Sequence, residues 1–160
     1  EFLPMDKVIN GIDVIAANLS NEALLDCAEA IMTTDSIPKI STVQASGVQM
    51  SGIAKGAGML APALATMLCV IMTDAVLPEK ADSIFKDIVD KTFNRIDSDG
   101  CTSTNDTILF MSSGASGVEI THEQCTSMLE EVCTSLSAQL IADAEGSTKT
   151  IHINILLNLC

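Results

Sequence analysis

Two stretches near the N-terminus, residues 5–19 and 21–31, space their apolar residues at three- and four-residue steps. A helix of 3.6 residues per turn gathers such positions on one face, so each stretch predicts an amphipathic helix. Ser20 lies between them and is a suitable N-cap for the second helix. We expect the two helices to pack against each other as a pair.

The next part of the chain has the pattern of strands. Residues 40–45 and 48–53 flank Ser46 and Gly47, a two-residue combination typical of a β-hairpin turn. A continuous apolar run over residues 67–72 then predicts a strand buried on both faces. The glycines and the proline that precede this run argue against a helix at the junction.

A helical period returns after Pro78 and continues to Ile96. We expect one long core helix there, with residues 97–107 forming a turn before a strand at 108–111. The apolar stripe of the helix consists of Ala81, Ile84, Phe85, Ile88, Val89, Phe93 and Ile96.

The last part of the chain predicts a helix and then a strand. Thr121 and Gln124 have the spacing of a capping box that opens the helix, and Gly146 is a suitable C-cap. Residues 148–156 alternate in the manner of a strand. The buried face of the helix is expected to hold Cys125, Met128, Leu129, Val132, Cys133, Leu136 and Leu140.

Composition restricts the possible partners. The chain of 160 residues is 48% hydrophobic, which suits one compact domain, and its formal net charge is −13 with only 8 Lys and Arg residues. It therefore lacks a basic patch for nucleic acid or an anionic membrane. Its 6 cysteines form no C-x-x-C pair and it has 2 histidines, so we expect no metal site and a reduced, cytoplasmic setting.

Four positions could carry chemistry, although each also has an ordinary structural interpretation. Thr66 opens the apolar run as a β-branched residue would, and Thr33 belongs to a Thr-Thr-Asp turn. Lys55 stands in a glycine-rich segment that lacks the spacing of a Walker loop, so a nucleotide site is rejected. Glu145 would be a solvated carboxylate at a helix end.

The segment GIAKGAGMLAPALATMLCVIMTDA (52–75) resembles the processing segment of the ornithine acetyltransferase family, the bifunctional glutamate N-acetyltransferases of arginine biosynthesis. AEAIMTTD (28–35), DSDGCTSTNDT (97–107) and LIADAEGSTK (140–149) resemble further family blocks in the family's order. Family members are longer on both sides. The chain is therefore expected to be a central part of such an enzyme.

The resemblance implies a self-cleaving precursor. Residues 1–65 would be the C-terminal part of one chain, cleavage would fall between Ala65 and Thr66, and residues 66–160 would begin the second chain with Thr66 as the catalytic nucleophile. A freed α-amine can take the proton of the neighbouring hydroxyl, so no histidine is needed. The substrate-binding residues implied are Thr33, Lys55, Thr66 and Glu145, with Thr34 and Asp35 as support for Thr33.

The implied reaction moves the acetyl group of N2-acetyl-L-ornithine to L-glutamate by a ping-pong mechanism without a cofactor. The resemblance leaves acetyl-CoA open as an alternative acetyl donor of the parent protein, which is expected to be a heterotetramer of two cleaved chains. The implied fold is α/β, a layered αββα sandwich resembling N-terminal nucleophile enzymes and incomplete at both ends. The family's oxyanion-hole pair lies upstream of residues 3–7, so the 160-residue chain alone is expected to be inactive and to remain uncleaved or to cleave very slowly.

Two alternatives remain open from the residues. A related self-processing N-terminal nucleophile amidase or aminopeptidase would pass the acyl group to water rather than to glutamate. A non-catalytic fragment would serve only as an interaction or folding unit.

Overall fold

The computed structural model describes residues 2–57, 67–97, 105–149, 151 and 153. Its elements confirm an α/β fold: α1 (Met5–Ala17), α2 (Leu24–Ala30), β1 (Lys39–Ala45), β2 (Val48–Lys55), β3 (Leu68–Thr73), α3 (Ala81–Lys91), a 3₁₀ turn (Phe93–Arg95), β4 (Thr107–Ser112) and α4 (His122–Ala142).

The strands form one mixed sheet in the order β1-β2-β3-β4. β2 is antiparallel to both β1 and β3, whereas β3 and β4 are parallel. The predicted hairpin turn is confirmed, since Ser46 and Gly47 both have positive φ, 55° and 81°. Two successive positive values are those of a type I′ turn, whose twist matches the strands that it joins.

The crossover between the parallel strands contains α3, as such a connection requires. The helix is shorter than predicted. It begins at Ala81 rather than at Pro78, and Thr92 leaves helical geometry with φ −118° and ψ −88°. The hydroxyl of Thr92 donates to the carbonyl of Ile88 at 2.7 Å, and a 3₁₀ turn replaces the last predicted helical turn.

The core lies between α4 and the sheet. Every residue predicted for the buried face of α4 is buried, and the capping box of Thr121 and Gln124 is present. The close approach of α4 to β2 depends on Gly52, because a Cβ there would lie 2.8 Å from Cδ1 of Leu136. By the alternation of strand side chains, Met50 and Ala54 share this face and are fully buried.

Two predictions about the N-terminal helices are wrong. None of the residues of α1 is buried, so its apolar face is not packed on α2. α2 begins only at Leu24, with Ala23 in the N-cap position. The hydroxyl of Ser20 instead accepts the N–H of Glu22 at 3.1 Å, which makes a turn ahead of the helix.

The predictions after α4 also need correction. The helix ends with Asp143 as its C-cap, and Gly146 takes its positive φ of 80° beyond that cap. Of the predicted strand 148–156, residues 148, 149, 151 and 153 have no strand pairing and the others lie outside the described residues. Among the described helices, none has the length and apolar character needed to cross a membrane.

Candidate functional site

A buried lysine lies at the beginning of β1. Lys39 is fully buried, and its ammonium donates to Asp35 Oδ1 at 2.7 Å, to Asp143 Oδ2 at 2.6 Å and to the carbonyl of Ile37 at 3.3 Å. An ammonium has three N–H donors, so these bonds use all of them. Lys39 thus joins two carboxylates that are 108 residues apart in the sequence.

Asp35 is the link between this lysine and the glycine-rich segment. Its Oδ1 also accepts the backbone N–H of Gly56 at 2.7 Å, and its Oδ2 accepts the N–H of Thr33 at 3.1 Å. Burial raises the pKa of Asp35, but the hydrogen bonds from Lys39, Gly56 and Thr33 and the charge of Lys39 outweigh it, so the net pKa lies below its ordinary value. Asp35 is therefore held as a carboxylate that fixes the backbone of Thr33, and the binding role of Thr33 stays a prediction.

Asp143 caps the C-terminal end of α4. It accepts the N–H of Ser36 at 3.0 Å and the Ser36 hydroxyl in addition to Lys39. Burial raises the pKa of Asp143, but the bonds from Lys39 and Ser36 and the charge of Lys39 lower it by more. A cation at this position also suits the negative end of the helix dipole.

A second tie joins α4 to β1 one turn earlier. The side-chain amide of Gln139 accepts the N–H of Ile40 at 3.1 Å and donates to the carbonyl of Ile40 at 2.9 Å. The end of α4 is consequently fixed against the beginning of β1 by both an amide and a carboxylate.

Three of the predicted substrate-binding residues lie on segments that meet here. The backbone N–H of Glu145 donates to the carbonyl of Ala57, two residues beyond Lys55, while Asp35 holds both Thr33 and Gly56. The side chains of Thr33 and Glu145 are exposed. The segments around Thr33, Lys55 and Glu145 are thus linked by direct hydrogen bonds.

Lys55 differs from the other two because its side chain is buried, with only 6% of the residue exposed. It ends β2 and lies on the face opposite Ala54 and α4. Among the residues that the structure describes, none forms an ion pair or a hydrogen bond with its ammonium. A lysine ammonium can meet a carboxylate as a point charge, so an anionic ligand suits this position.

Thr66 and Ala65 lie outside the described residues. The chain is described again from Met67, which is buried. Its N–H donates to Asp106 Oδ1 at 2.9 Å, and its carbonyl accepts the N–H of Thr107 at 3.0 Å. The turn predicted before β4 therefore holds the backbone directly after the predicted nucleophile.

A cavity of about 740 Å³ does not coincide with this site. It lies toward the opposite end of β2, where Gln49, Asp74 and Ser113 are among its lining residues. Thr33, Lys55 and Glu145 do not line it, so the cavity gives no support to their predicted roles.

Sequence reasoning missed Lys39 and Asp143 as members of the site. A local signal existed for the first, since a lysine interrupts the approach to an otherwise apolar and β-branched strand four residues after Asp35. Its second partner is 104 residues away along the chain. No local pattern reveals such a pairing.

Comparisons with known proteins agree on one family. The sequence profile described as the ArgJ family matches residues 1–157. The arginine biosynthesis bifunctional protein ArgJ of Thermobifida fusca is 49% identical over 97% of this chain, and ArgJ 1 of Streptomyces clavuligerus is also 49% identical over 97%. The corresponding protein of Bifidobacterium longum is 44% identical over 97% of the chain.

The chain spans about two fifths of the length of these curated relatives, 41% in each case. The match nevertheless runs through nearly all of the chain and includes all the blocks that meet around Lys39. The resemblance drawn from the motifs is therefore confirmed, and the chain belongs to the ArgJ family.

Proposed function

We propose that the full-length protein carrying this chain transfers the acetyl group of N2-acetyl-L-ornithine to L-glutamate, with Thr66 as the nucleophile. The observation that carries this proposal is the meeting of the segments of Thr33, Lys55 and Glu145 around Asp35 and Asp143 in a member of the ArgJ family. Acetylornithine carries both a carboxylate and an ammonium group. A site that binds it therefore needs one cationic and one anionic side chain.

Lys55 and Glu145 have the charges that these substrates require. Acetylornithine and glutamate both carry an α-carboxylate, which suits the ammonium of Lys55. The side-chain ammonium of acetylornithine suits the exposed carboxylate of Glu145. Thr33, whose backbone is held by Asp35, would contribute a polar contact.

The chemistry begins with hydrolysis of the Ala65–Thr66 peptide bond, in which water supplies the second oxygen of the Ala65 carboxylate and the α-amine of Thr66 is freed. This amine takes the hydroxyl proton as Thr66 Oγ attacks the acetyl carbonyl carbon of acetylornithine. The tetrahedral intermediate collapses, the C–N bond breaks, and ornithine leaves with the proton on its α-amine. The uncharged α-amine of glutamate then attacks the acetyl ester, which releases N-acetylglutamate and restores Thr66.

Further properties follow from the same proposal. The full-length protein would adopt the layered αββα fold of N-terminal nucleophile enzymes, and its two cleaved chains would assemble as a heterotetramer in the cytoplasm. Acetyl-CoA would serve as a second acetyl donor to glutamate. The described half of such a fold, one sheet covered by α4, is compatible with this arrangement.

The reaction is tested by incubating the purified full-length protein with acetylornithine, with and without glutamate. We expect N-acetylglutamate in the presence of glutamate, and without it a smaller chain that is heavier by one acetyl group in its intact mass. Acetate release at the same rate with or without glutamate would identify a hydrolase instead.

The nucleophile is tested by N-terminal sequencing of the smaller chain, which should begin at Thr66. Thr66→Ala should abolish both cleavage and transfer, whereas Thr66→Ser retains a hydroxyl and an α-amine and should keep part of both. A smaller chain that begins elsewhere would exclude Thr66.

The carboxylate contact is tested with Lys55→Ala. Because a contact made equally in the ground and transition states changes KM more than kcat, we expect a raised KM for acetylornithine with cleavage intact. Lys91→Ala, at an exposed lysine ending α3, is the matched control. An unchanged KM would remove Lys55 from the site.

A further inference from the structure

The two buried lysines of the β1–β2 hairpin lie on opposite faces of the sheet. Lys39 is paired with Ala54 across the two strands, and paired residues share a face. Lys55 is the next residue after Ala54 and therefore lies on the other face. Lys39 is on the side of α4 and Lys55 is on the side away from it.

Lys39 and Lys55 differ in the hydrogen-bond partners of their ammonium groups. The three donors of Lys39 are taken by Asp35, Asp143 and a backbone carbonyl, so none is left for a ligand. Lys55 has no such partner among the described residues. A direct role in binding is therefore suited to Lys55 and unsuited to Lys39.

We propose that Lys39 is a positioning residue, which fixes the strand end carrying Lys55 and the segment after α4 that carries Glu145 at one spacing. Asp35 connects Lys39 to the segment of Lys55, because it also accepts the N–H of Gly56, the residue after Lys55. Asp143 connects Lys39 to Glu145, which follows it by two residues in the sequence. This inference rests on the proposed function, since that function assigns the ligand contacts to Lys55 and Glu145.

The cost of the arrangement supports a geometric role. Two carboxylates and one ammonium, a formal charge of −1, are withdrawn from water at this point. Buried ion clusters of this kind contribute little net stability, and apolar residues of similar volume often replace them without loss. The contribution of the cluster is geometric, because one ammonium fixes the relative positions of two carboxylates that come from distant segments.

The test uses the full-length protein with the double substitution Lys39→Met/Asp143→Asn. This variant keeps the formal charge of −1, and Asp35 can still accept the N–H groups of Thr33 and Gly56. The variant removes the bonds of the ammonium to Asp35, Asp143 and the carbonyl of Ile37. The bonds of Gln139 to Ile40 and of Glu145 to Ala57 are not substituted. Lys39→Met alone, which leaves two carboxylates without their cation, should lower the thermal midpoint more than the double variant does. Lys91→Met is the surface control.

Two measurements separate positioning from stability. Amide hydrogen exchange read by mass spectrometry should become faster in segments 54–57 and 143–147 of the double variant, while segments 68–73 and 107–112 of β3 and β4 keep their rates. The KM for acetylornithine should rise about tenfold or more, with a smaller change in kcat, because a misplaced contact weakens binding.

Each outcome decides a separate point. Unchanged exchange in both segments would show that Lys39 does not tie them together. Faster exchange with an unchanged KM would reduce the cluster to a purely structural element and overturn the proposal. If the unsubstituted protein transfers no acetyl group, the proposed function fails, and the exchange measurement still decides whether Lys39 fixes the two segments.

Discussion

Gly52 and Leu136 are in direct opposition across the core, since a Cβ on the glycine would lie 2.8 Å from Cδ1 of the leucine and 3.0 Å from Cγ1 of Val132. Leu136 is fully buried, so its terminal methyl group has little room to move. Gly52→Ala should therefore destabilise the protein by about 1–3 kcal/mol.

The matched control for that substitution is Gly11→Ala. Gly11 lies within α1, and a Cβ at this position would have no atom within 4 Å, so alanine should stabilise the helix by about 0.5–1 kcal/mol through its higher helix propensity. Urea unfolding followed by circular dichroism measures both. Equal effects of the two substitutions would contradict the close packing of α4 on β2.

The lowered pKa values of Asp35 and Asp143 predict the pH dependence of stability. A carboxyl whose pKa is lower in the folded protein binds fewer protons there than in the unfolded chain at acid pH. Its stabilising contribution is complete above the unfolded value of 3.8 and is lost as pH falls through the folded pKa. The urea midpoint should fall steeply below pH 3.8. Asp35→Asn should make that fall shallower, and identical slopes would contradict the assignment.

The capping box predicts a measurable contribution at the other end of α4. The hydroxyl of Thr121 accepts the N–H of Gln124 at 3.2 Å, and the Gln124 side chain accepts the N–H of Thr121 at 2.8 Å. Thr121→Ala should cost about 1 kcal/mol, whereas Thr121→Ser keeps the oxygen and should cost less. Thermal unfolding of the two variants makes the comparison. Equal midpoints would show that the hydroxyl contributes nothing.

Asp106 should affect the backbone after the proposed cleavage point. Asp106→Ala removes the acceptor of the Met67 N–H, a loss of about 1 kcal/mol, and should slow cleavage of the full-length protein. Asp106→Asn retains a side-chain oxygen and should cleave faster than the alanine variant. The appearance of the smaller chain over time, followed by intact mass, measures the difference. Equal cleavage rates would show that this hydrogen bond has no part in processing.

The parts of the fold that could be predicted are those with local causes. The Ser46-Gly47 turn, the apolar run of β3 and the Thr121 capping box each fix a conformation within a few residues, and all three are present. The amphipathic period of α1 was also sufficient to predict the helix. It did not determine the packing, because an apolar face specifies that a helix can be covered and not which element covers it.

The parts of the site that could be predicted are likewise those with a local signal in the sequence. Motifs identified segments that do meet, but Lys39 was missed because both of its ion pairs depend on the fold, and the bond to Asp143 closes a separation of 104 residues. The early end of α3 has a local cause instead. Its apolar stripe continues past Thr92, whose hydroxyl competes for a helix carbonyl and whose backbone turns away.

The Gln139 amide has a consequence for self-association. β1 is an edge strand of the described sheet, and an edge offers unpaired N–H and C=O groups to any strand of another molecule. At Ile40 both groups are already occupied by one side-chain amide, which takes the place of a neighbouring peptide unit. A second sheet that approached β1 in register would have to displace Gln139 first. The end of α4 therefore blocks strand addition at Ile40, the part of this edge where β1 begins.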